Sequence, residues 1–493
     1  MAKNQIIWGA SGLSHDAAIA VIVDGKIVFA SSAERYSRVK NDPNFNIELI
    51  ADALEYGEPD VIVWYEKPFK KFLRRLVVDK QWQPYSVKNV FNMYGVNAPI
   101  QYVDHHVSHL CASLYTAPFN TDKTLGLVVD SVGEFKTLSV WDISNGTYKC
   151  IHSRGYPNSL GLFYSSMTDM LGLKPQEEEY IMMGMASYGT SNYLKYYNYI
   201  LENLFDDDCN LALDLRRGCR GLFTKEEIEA NKFDIALAAQ KIYEDIVVDI
   251  AKEYLKKTGY TKLVLSGGCT LNCTANSYLL ELVDDMWIFP NPGDSGSSVG
   301  AALAYYGQPV EMNNLYLGHD AGTNVDIDDL VDYLDKEKMA GVIFGKAEFG
   351  PRALGHRSIL ADPRVSNIKD IVNEVKGREK FRPFAPIVLK EHFNDLFVNK
   401  GKHDSYPYMQ YTHICKRPDL YPGVVHVDCS SRVQTVDVNT PFIHQVLKKW
   451  YDKTGCPILL NTSLNIKGKP LLNNANHIEE FSHTKLKIYG KSS

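Results

Sequence analysis

The sequence predicts a mixed α/β protein of two domains, and three features support this prediction. The chain has 493 residues, which is more than the roughly 100–200 residues of a typical single domain. Segments with strand-like apolar runs alternate with segments whose apolar residues recur every 3.6 positions, as in amphipathic helices. Two late strands run into glycine-containing turns followed by helical patterns, an order typical of α/β proteins.

Composition excludes several classes of protein. Hydrophobic residues make up 45% and charged residues 23% of the chain, which is ordinary for a globular protein and excludes a largely disordered or low-complexity chain. Lys and Arg total 53 against 59 Asp and Glu, a net charge of −6. This mildly acidic balance argues against tight binding of a nucleic-acid polymer but leaves room for a local basic pocket.

The sequence also predicts a cytoplasmic protein without a membrane partner. No stretch reaches the roughly 18 apolar residues of a membrane helix, and the first twenty residues lack a signal peptide's uninterrupted apolar run. The nine cysteines are scattered along a long chain, whereas secreted disulfide scaffolds are short and cysteine-dense.

A loose internal repeat is the first informative feature of the chain. Residues 6–32 and 125–152 both read as strand, polar turn, strand, tight turn, strand, with Asp24-Gly25 and Asn145-Gly146 at the tight turns. Two such lobes follow the plan of the actin-like ATPase and sugar kinase superfamily, a duplicated RNase H-like fold. The alternative is a pair of unrelated hairpins.

Further along, two strands end in glycine-rich turns. Residues 262–268 read as a buried strand that enters glycines, and residues 287–307 read as strand, polar glycine-rich turn and small-residue helix. Such turns present free backbone N–H groups to an anion. The polar, charged stretch between Gly307 and Gly341 predicts a domain boundary, which gives domains at residues 1–340 and 341–493.

The segment Asp104–Ser113 carries a candidate metal site. His105 and His109 are four residues apart and share one face of a helix, although His106 and His109 are also compatible with a site. Asp130, at the end of a predicted strand, and Asp294, in a polar turn, would complete a set of two histidines and two carboxylates. That set suits iron, manganese or zinc, and the alternative is ordinary surface or core histidines.

His15 lies in the turn of the first lobe and is the first histidine of the chain. This position suits a general base, and the alternative is a turn histidine that bonds locally.

A cluster of basic residues follows the predicted boundary. Its charges are separated by Gly, Pro and Phe rather than by helix formers, which favours loops that recognise phosphate or carboxylate over a solvated helix face. The cluster consists of Arg352, Arg357, Arg364, Lys369, Lys376, Arg378, Lys380 and Arg382. Downstream, residues 459–470 place small polar side chains and glycine after a strand, where they can hydrogen-bond a planar group such as an amide. The pair Cys269 and Cys273 has no second pair nearby, so packing is a better interpretation than zinc binding.

These motifs together resemble the O-carbamoyltransferases of the nodulation-protein and antibiotic-tailoring type. The matching segments run in the family's order and cover nearly the whole chain: GLSHDAAIAVIVDG, ERYSRVKND, DHHVSHLCASLYTAPF, EEEYIMMGMASYG, LVLSGGCTLNC, FPNPGDSGSSVGAA, GPRALGHRSILADPR, KGREKFRPFAP, HVDCSSRVQTV and GCPILLNTSLNIKGKP.

The resemblance implies an actin-like N-terminal domain and a YrdC-like C-terminal domain. The C-terminal domain would convert carbamoyl phosphate and ATP, with Mg²⁺, into carbamoyl-adenylate. The N-terminal domain would then pass the carbamoyl group to a hydroxyl of a sugar, a natural product or a hydroxymethylated nucleotide. Whether the chain forms a homodimer stays open.

The resemblance also implies roles for particular residues. His105, His109, Asp130 and Asp294 would hold a divalent ion, with iron preferred over manganese or zinc, and His15 would take the acceptor's proton. Gly267, Gly268 and Asn272 would line the nucleotide. The carbamoyl phosphate and adenylate site would be lined by Arg352, Lys376, Arg378, Arg382, Arg432, Asn461, Ser463 and Asn465.

Three departures from the family pattern lie beside the adenylation pocket: Cys429-Ser430-Ser431 before Arg432, NTSLN in place of NTSFN, and GKP in place of GEP. They affect the exact contacts expected there more than the activity. The alternatives are a transferase acting on tRNA and a catalytically silent nucleotide-binding regulator. The acidic charge disfavours the first, and the intact set of histidines and aspartates disfavours the second.

Overall fold

The computed structural model describes residues 5–82, 84–211, 213–322 and 324–490. The strands are β1 Ile6–Ser11, β2 Ala18–Val23, β3 Lys26–Ser32, β4 Val61–Trp64, β5 Ile100–Tyr102, β6 Thr124–Gly133, β7 Lys136–Ser144, β8 Thr147–Gly155, β9 Lys262–Ser266, β10 Asp285–Ile288, β11 Tyr316–Asp320, β12 Met339–Ile343, β13 Lys346–Glu348, β14 Arg357–Ala361, β15 Ala385–Leu389, β16 Phe397–Val398, β17 Thr412–Cys415, β18 Ser430–Arg432, β19 Gln434–Val436, β20 Ile458–Ser463 and β21 Ile488–Tyr489.

The α-helices are α1 Glu34–Ser37, α2 Ile47–Leu54, α3 Pro68–Arg74, α4 Val87–Met93, α5 His105–Leu114, α6 Leu160–Met170, α7 Glu179–Ala186, α8 Tyr193–Leu204, α9 Lys225–Thr258, α10 Cys273–Leu280, α11 Ser297–Tyr306, α12 Ile327–Glu337, α13 Ile368–Val375, α14 Phe393–Leu396 and α15 Pro441–Thr454. Within the described ranges, none of the helices is long and apolar enough to cross a membrane. The predicted mixed α/β class is confirmed.

The chain divides into two compact units, of which unit 1 combines Met1–Ile62 with Val310–Ser493 and unit 2 is Val63–Pro309. Unit 1 therefore joins the first lobe of the sequence repeat to the C-terminal part of the chain. The sequence-based domains, residues 1–340 and 341–493, stay a prediction.

Both predicted tight turns are present. Asp24 and Gly25 have φ of 48° and 78° between β2 and β3, and Asn145 and Gly146 have φ of 52° and 71° between β7 and β8. Two consecutive residues with positive φ are the signature of a type I′ turn, whose twist matches that of antiparallel strands. The β-β-β part of each repeat is thus an antiparallel meander.

Unit 2 is organised around a five-stranded sheet of order β10-β9-β6-β7-β8. The strands β6, β7 and β8 pair antiparallel, whereas β9 and β10 are parallel to β6. Helix α5 packs on this sheet through Leu110 and Leu114, which join a buried cluster with Val128, Trp141 and Val264. Because α5 begins with His105, this packing fixes where the candidate metal ligands lie.

The main sheet of unit 1 has six strands in the order β19-β15-β20-β14-β12-β21. Strand β20 pairs antiparallel with β14 on one side and with β15 on the other, and β15 pairs parallel with β19. The carboxyl end of β20 therefore lies at the same edge of the sheet as the amino ends of β14, β15 and β19. We call this the basic edge, formed by residues 350–356, 376–382, 432 and 463–465.

Candidate functional site

Unit 2 brings the four residues of the predicted metal site together. One ligand atom from each of His105, His109, Asp130 and Asp294 lies within 4.8 Å of the others, and this is the one such group found among the described residues. The two histidines are almost fully buried, with 3% and 1% of their surface exposed. The alternative pair is not used, because His106 turns to bond Oγ of Ser139 through Nδ1 at 2.7 Å.

Three elements position these side chains. Helix α5 supplies the histidines, β6 supplies Asp130 where its register with β7 shifts between Val129 and Gly133, and the turn before α11 supplies Asp294. Helices α5 and α11 approach closely at Gly300, where an added Cβ would lie 1.7 Å from the carbonyl oxygen of Ser108. Gly133 similarly leaves room for the ring of His105, which an added Cβ would approach to 2.0 Å.

The distances between the ligand atoms fit a divalent ion. The Nε2 atoms of His105 and His109 are 3.1 Å apart, and His105 Nε2 lies 3.1 Å from Asp130 Oδ2. Asp294 Oδ1 lies 3.4 Å from His109 Nε2 and 3.6 Å from His105 Nε2, and Asp130 Oδ2 lies 3.9 Å from His109 Nε2. Two ligands bound at about 2.1 Å to one ion are themselves about 3.0–3.4 Å apart, and two imidazoles with two carboxylates suit iron, manganese or zinc.

The two carboxylates of the candidate metal site favour a positive charge between them. Burial lowers the pKa of His105, but Asp294 and Asp130 outweigh it and raise that pKa to about 9. Burial raises the pKa of Asp130, yet the hydrogen bond from His105 and the nearby histidines bring it well below its usual range. The pKa of Asp294 is also lowered by His105 and His109 against the effect of burial. A site that stabilises an imidazolium between two carboxylates also attracts a metal cation.

Two neighbours orient the candidate ligands. Ser297, the first residue of α11, places Oγ 3.0 Å from Nδ1 of His109. When that Nδ1–H donates to the serine, Nε2 carries the lone pair that metal binding needs. Asp130 uses its other oxygen, Oδ1, to accept the N–H of Gly268 at 3.2 Å. Sequence reasoning missed Ser297, because the serine lies 188 positions from its partner.

The residues predicted to line a nucleotide follow β9. Gly267 has φ of 95°, and an added Cβ there would lie 2.2 Å from the carbonyl oxygen of Val129, so this turn requires glycine. Asn272 accepts the N–H of Ala275 at the start of α10, and its amide donates to Gln240 at 2.9 Å. The described contacts of Asn272 are thus internal, and its nucleotide role stays a prediction.

In unit 1, His15 lies in the turn between β1 and β2, as predicted. Its Nδ1 is 2.9 Å from Oδ2 of Asp16, and the two side chains are 35% and 23% exposed. Asp16 adopts φ of 45°, a left-handed conformation that aspartate tolerates better than most residues. Sequence reasoning overlooked Asp16, although a carboxylate beside a histidine is the usual way to orient an imidazole base.

Most residues of the predicted carbamoyl phosphate and adenylate site lie at the basic edge of unit 1. Lys376 is 3% exposed, and its Nζ donates to the carbonyl oxygen of Asn465 at 2.8 Å and to Oδ1 of Asn465 at 2.9 Å. The same Nζ contacts the Ser463 carbonyl. Lys376, Ser463 and Asn465, distant in sequence, are therefore direct neighbours.

The basic edge concentrates positive charge. Burial lowers the pKa of Lys376 well below its ordinary value, and repulsion by Arg378 and Arg382 lowers it further. Arg378 is held by Nε to Oδ1 of Asn373 at 2.5 Å and stacks over the ring of Phe384 at 4.3 Å. A bound anion would relieve this repulsion, so the edge has the charge expected of a phosphate site.

Two arginines of the basic cluster, Arg357 and Arg364, have structural roles. Arg357 is completely buried and donates to five backbone carbonyls, those of His319, Phe344, Gly345, His356 and Asn473. Arg364 forms a two-pronged pair with Asp362, at 2.8 and 2.9 Å. The sequence shows arginines in loops but not which of them are saturated by the protein itself.

Three further residues of the predicted site are Asn461, Arg382 and Arg432. Asn461 is buried and donates its amide to the carbonyl of Ala353 at 3.1 Å and to Oε1 of Gln434 at 2.7 Å. It therefore holds the loop that contains Arg352. Arg382 lies 3.5 Å from Glu379, and Arg432 ends β18 immediately before β19.

Comparison with known proteins identifies the family. Residues 69–303 match the family model described as Carbamoyltransferase N-terminus, and residues 331–489 match Carbamoyltransferase C-terminus. The chain is 30% identical to the Uncharacterized protein sll1178 of Synechocystis sp., over 94% of this chain and 92% of that protein. It is also 30% identical to the Nodulation protein NolNO of Sinorhizobium fredii, over 93% of this chain and 75% of that protein.

Among solved structures, the chain is similar to full-length HypF in its phosphate- and nucleotide-bound form, with 15% identity and a TM-score of 0.35, over 61% of this chain and 46% of that chain. On the family models and the two relatives, the chain belongs to the carbamoyltransferase family. It is an enzyme that transfers carbamoyl groups.

Proposed function

We propose that this chain is an ATP-dependent O-carbamoyltransferase. Carbamoyl phosphate, ATP and water would yield carbamoyl-adenylate, phosphate and pyrophosphate. An alcohol would then displace AMP from the adenylate to give a carbamate ester. Activation is needed because the carbamoyl carbonyl is deactivated by its own nitrogen, and AMP is a leaving group whose charge protein contacts can absorb.

The observation that carries this proposal is the convergence of cationic and amide groups at the basic edge of unit 1. Four loops meet there because the register of β14, β15, β19 and β20 brings them to one side of the sheet. Arg352, Lys376, Arg378, Arg382 and Arg432 would bind phosphate groups, and Asn461, Ser463 and Asn465 would bind the planar carbamoyl group. Guanidinium forks suit phosphate oxygens, and amides suit the N–H and C=O groups of a carbamoyl.

In unit 2, His105, His109, Asp130 and Asp294 would hold a divalent ion, with iron the preferred candidate. When bound, such an ion supplies Lewis-acid stabilisation of negative charge on oxygen. The protein's own contribution is to hold two of these side chains in place, His109 through Ser297 and Asp130 through the N–H of Gly268.

His15 would act as the general base that takes the acceptor's proton. With Nδ1 held by Asp16, Nε2 would be the ring nitrogen that receives the acceptor's proton. Asp16 would fix the tautomer and stabilise the imidazolium that forms, which is the role of the carboxylate in hydrolase triads. A positioned base accelerates such steps by about 10²–10⁴-fold.

The proposal assigns transfer to residues 1–340, an actin-like domain, and adenylate formation to residues 341–493, a YrdC-like domain. Gly267, Gly268 and Asn272 would line the nucleotide in the first. Support for the actin-like assignment comes from the repeated antiparallel meander, β1–β3 and β6–β8, and from the two parallel strands that extend the second copy. The acceptor would be a sugar, a natural product or a hydroxymethylated nucleotide.

Mass spectrometry tests this function. The protein is incubated with a panel of hydroxyl compounds, ATP, Mg²⁺ and carbamoyl phosphate, and products are searched for the added mass of one carbamoyl group. The proposal expects a carbamoylated product that disappears when either ATP or carbamoyl phosphate is omitted. Product formed equally well without ATP would contradict the adenylate route.

A further inference from the structure

Glu348, the last residue of β13, fixes the backbone of the loop that follows it. The side chain is 2% exposed, and Oε1 accepts the backbone N–H groups of Leu354 at 2.7 Å, His356 at 2.9 Å and Arg357 at 3.1 Å. A carboxylate that accepts several N–H donors in the interior is a strong, directional anchor, because charge-assisted hydrogen bonds gain strength at low dielectric.

The carbonyl groups of the same loop are also held by side chains. The carbonyl of Leu354 accepts from Nε2 of Gln434 at 3.0 Å and from the hydroxyl of Tyr316 at 2.9 Å. The carbonyl of Ala353 accepts from Asn461, and that of Gly350 accepts from the buried guanidinium of Arg35 at 2.5 Å. Residues 350–356 contain no helix or strand, so these side chains replace the missing ladder of backbone bonds.

Arg352 lies inside this fixed loop. Its neighbours Ala353, Leu354 and Gly355 are buried, whereas Arg352 itself is only half-buried. The loop enters β14 opposite the end of β20, where Ser358 pairs with Ser463. The arrangement therefore holds one arginine at the basic edge, where Lys376, Ser463 and Asn465 also lie.

We propose that Glu348 is a positioning residue for carbamoyl phosphate binding and acts through Arg352. This inference rests on the proposed function of the basic edge. Glu348 would not touch the substrate; it would fix the Cα position and direction of Arg352, so that the guanidinium is already in place when the anion arrives. Loss of a contact that supports a metal ligand typically costs about 10–100-fold in affinity or activity, and we expect an effect at the lower end of that range here.

A double-mutant cycle on the full-length protein tests the proposal. Glu348→Gln keeps the size of the side chain but removes the charge that holds three N–H groups, and Arg352→Ala removes the group to be positioned. The measured quantity is KM for carbamoyl phosphate in ATP cleavage, with kcat and the unfolding midpoint recorded for each variant. Glu374→Gln, on an exposed position of α13, is the matched control.

The proposal expects Glu348→Gln to raise KM about 10-fold when Arg352 is present and to cause no further rise in the Arg352→Ala background. An equal rise in both backgrounds, or no rise in either, would overturn it, because a merely structural role does not depend on Arg352. If Arg352→Ala alone left KM unchanged, the proposed role of the basic edge would fail together with the inference. If Arg352→Ala raised KM and the effects of Glu348→Gln and Arg352→Ala were additive, the inference about Glu348 would fail while the proposed role of the basic edge would stand.

Gln434→Leu provides a second route if Glu348→Gln does not fold. It removes one of the two side-chain donors to the Leu354 carbonyl, the other being Tyr316, and the same cycle with Arg352→Ala applies. A rise in KM that again requires Arg352 would support positioning of this loop. Additive effects would count against it.

Discussion

The Nε2 atoms of His105 and His109 lie 3.1 Å apart in the interior of unit 2. One turn of α5 separates the two rings, and each also approaches the carboxylates of Asp130 and Asp294. Two imidazole nitrogens and two carboxylate oxygens this close to one another form a group suited to holding a metal ion.

We predict that purified protein binds about one divalent ion per chain and that a His105→Ala/His109→Ala double variant binds none. Metal content is measured by elemental analysis, and thermal unfolding is followed with and without a chelator, because an ion bound to the native state stabilises it. His152→Ala is the matched control, since that ring stacks on Tyr254 in the same unit. Metal retained by the double variant would contradict the ligand assignment.

Asp16→Asn should slow carbamoyl transfer while leaving adenylate formation intact. On the proposed role of His15 as the base, the carboxylate 2.9 Å from its Nδ1 would stabilise the imidazolium, so loss of that carboxylate should weaken the base. His15→Ala should cost about 10²–10⁴-fold. Transfer is measured by product formation, and adenylate formation by pyrophosphate release. Equal loss of both activities in His15→Ala would show that His15 does not serve the transfer step.

The arginines of the C-terminal cluster should separate into two classes when mutated. Arg357→Leu removes the side-chain donor of five backbone carbonyls, of which those of Gly345 and His356 keep a backbone N–H partner. The loss should destabilise unit 1 by about 3 kcal/mol or more. Arg352→Ala should fold normally but turn over carbamoyl phosphate with a raised KM. Denaturant unfolding and ATP cleavage are measured for both, with Arg417→Leu, an exposed partner of Asp419, as the control. Destabilisation by Arg352→Ala equal to that by Arg357→Leu would contradict this division.

A buried histidine should make unit 1 sensitive to acid. His413 has no exposed surface and packs against the rings of Phe393 at 5.0 Å and Tyr406 at 4.4 Å. Burial lowers its pKa to about 4, below the roughly 6.5 of an unfolded histidine. Its neutral form therefore supports the fold fully above pH about 6.5, and that support is lost as the pH falls towards 4, by up to about 3 kcal/mol.

His413→Phe should reduce the loss of stability between pH 7 and pH 5, because phenylalanine fills the same aromatic surroundings and takes up no proton. Unfolding midpoints at the two pH values provide the measurement, and His444→Leu, on a half-buried position of α15, is the control. An unchanged pH dependence in His413→Phe would exclude His413 as a source of acid sensitivity.

The sequence predicted the metal cluster because its ligands follow local rules. Helical spacing placed His105 and His109 on one face, and Asp130 and Asp294 followed strands whose ends could be recognised from their turns. The tight turns at Asp24-Gly25 and Asn145-Gly146 were predictable for the same reason, since the required positive φ values restrict the residue types.

Relationships set by strand register were beyond sequence reasoning. Arg352 and Arg357 occupy the same motif, yet one is half-buried and the other is saturated by five carbonyls. Only the packing of β14 between β12 and β20 distinguishes them. Glu348 and Ser297 could not be predicted from the sequence for a related reason. The role of a serine or a glutamate depends on the groups that it contacts, and the fold determines those contacts.

The most direct test of the central claim is the fate of the ATP phosphates. Purified protein is incubated with ATP and Mg²⁺, with and without carbamoyl phosphate, and nucleotides and pyrophosphate are quantified. The account predicts pyrophosphate, and an equal amount of carbamoyl-adenylate plus the AMP that water releases from it, only when carbamoyl phosphate is present. Arg352→Ala should need a higher concentration of carbamoyl phosphate to form them. Formation of ADP, or cleavage of ATP that does not depend on carbamoyl phosphate, would contradict it.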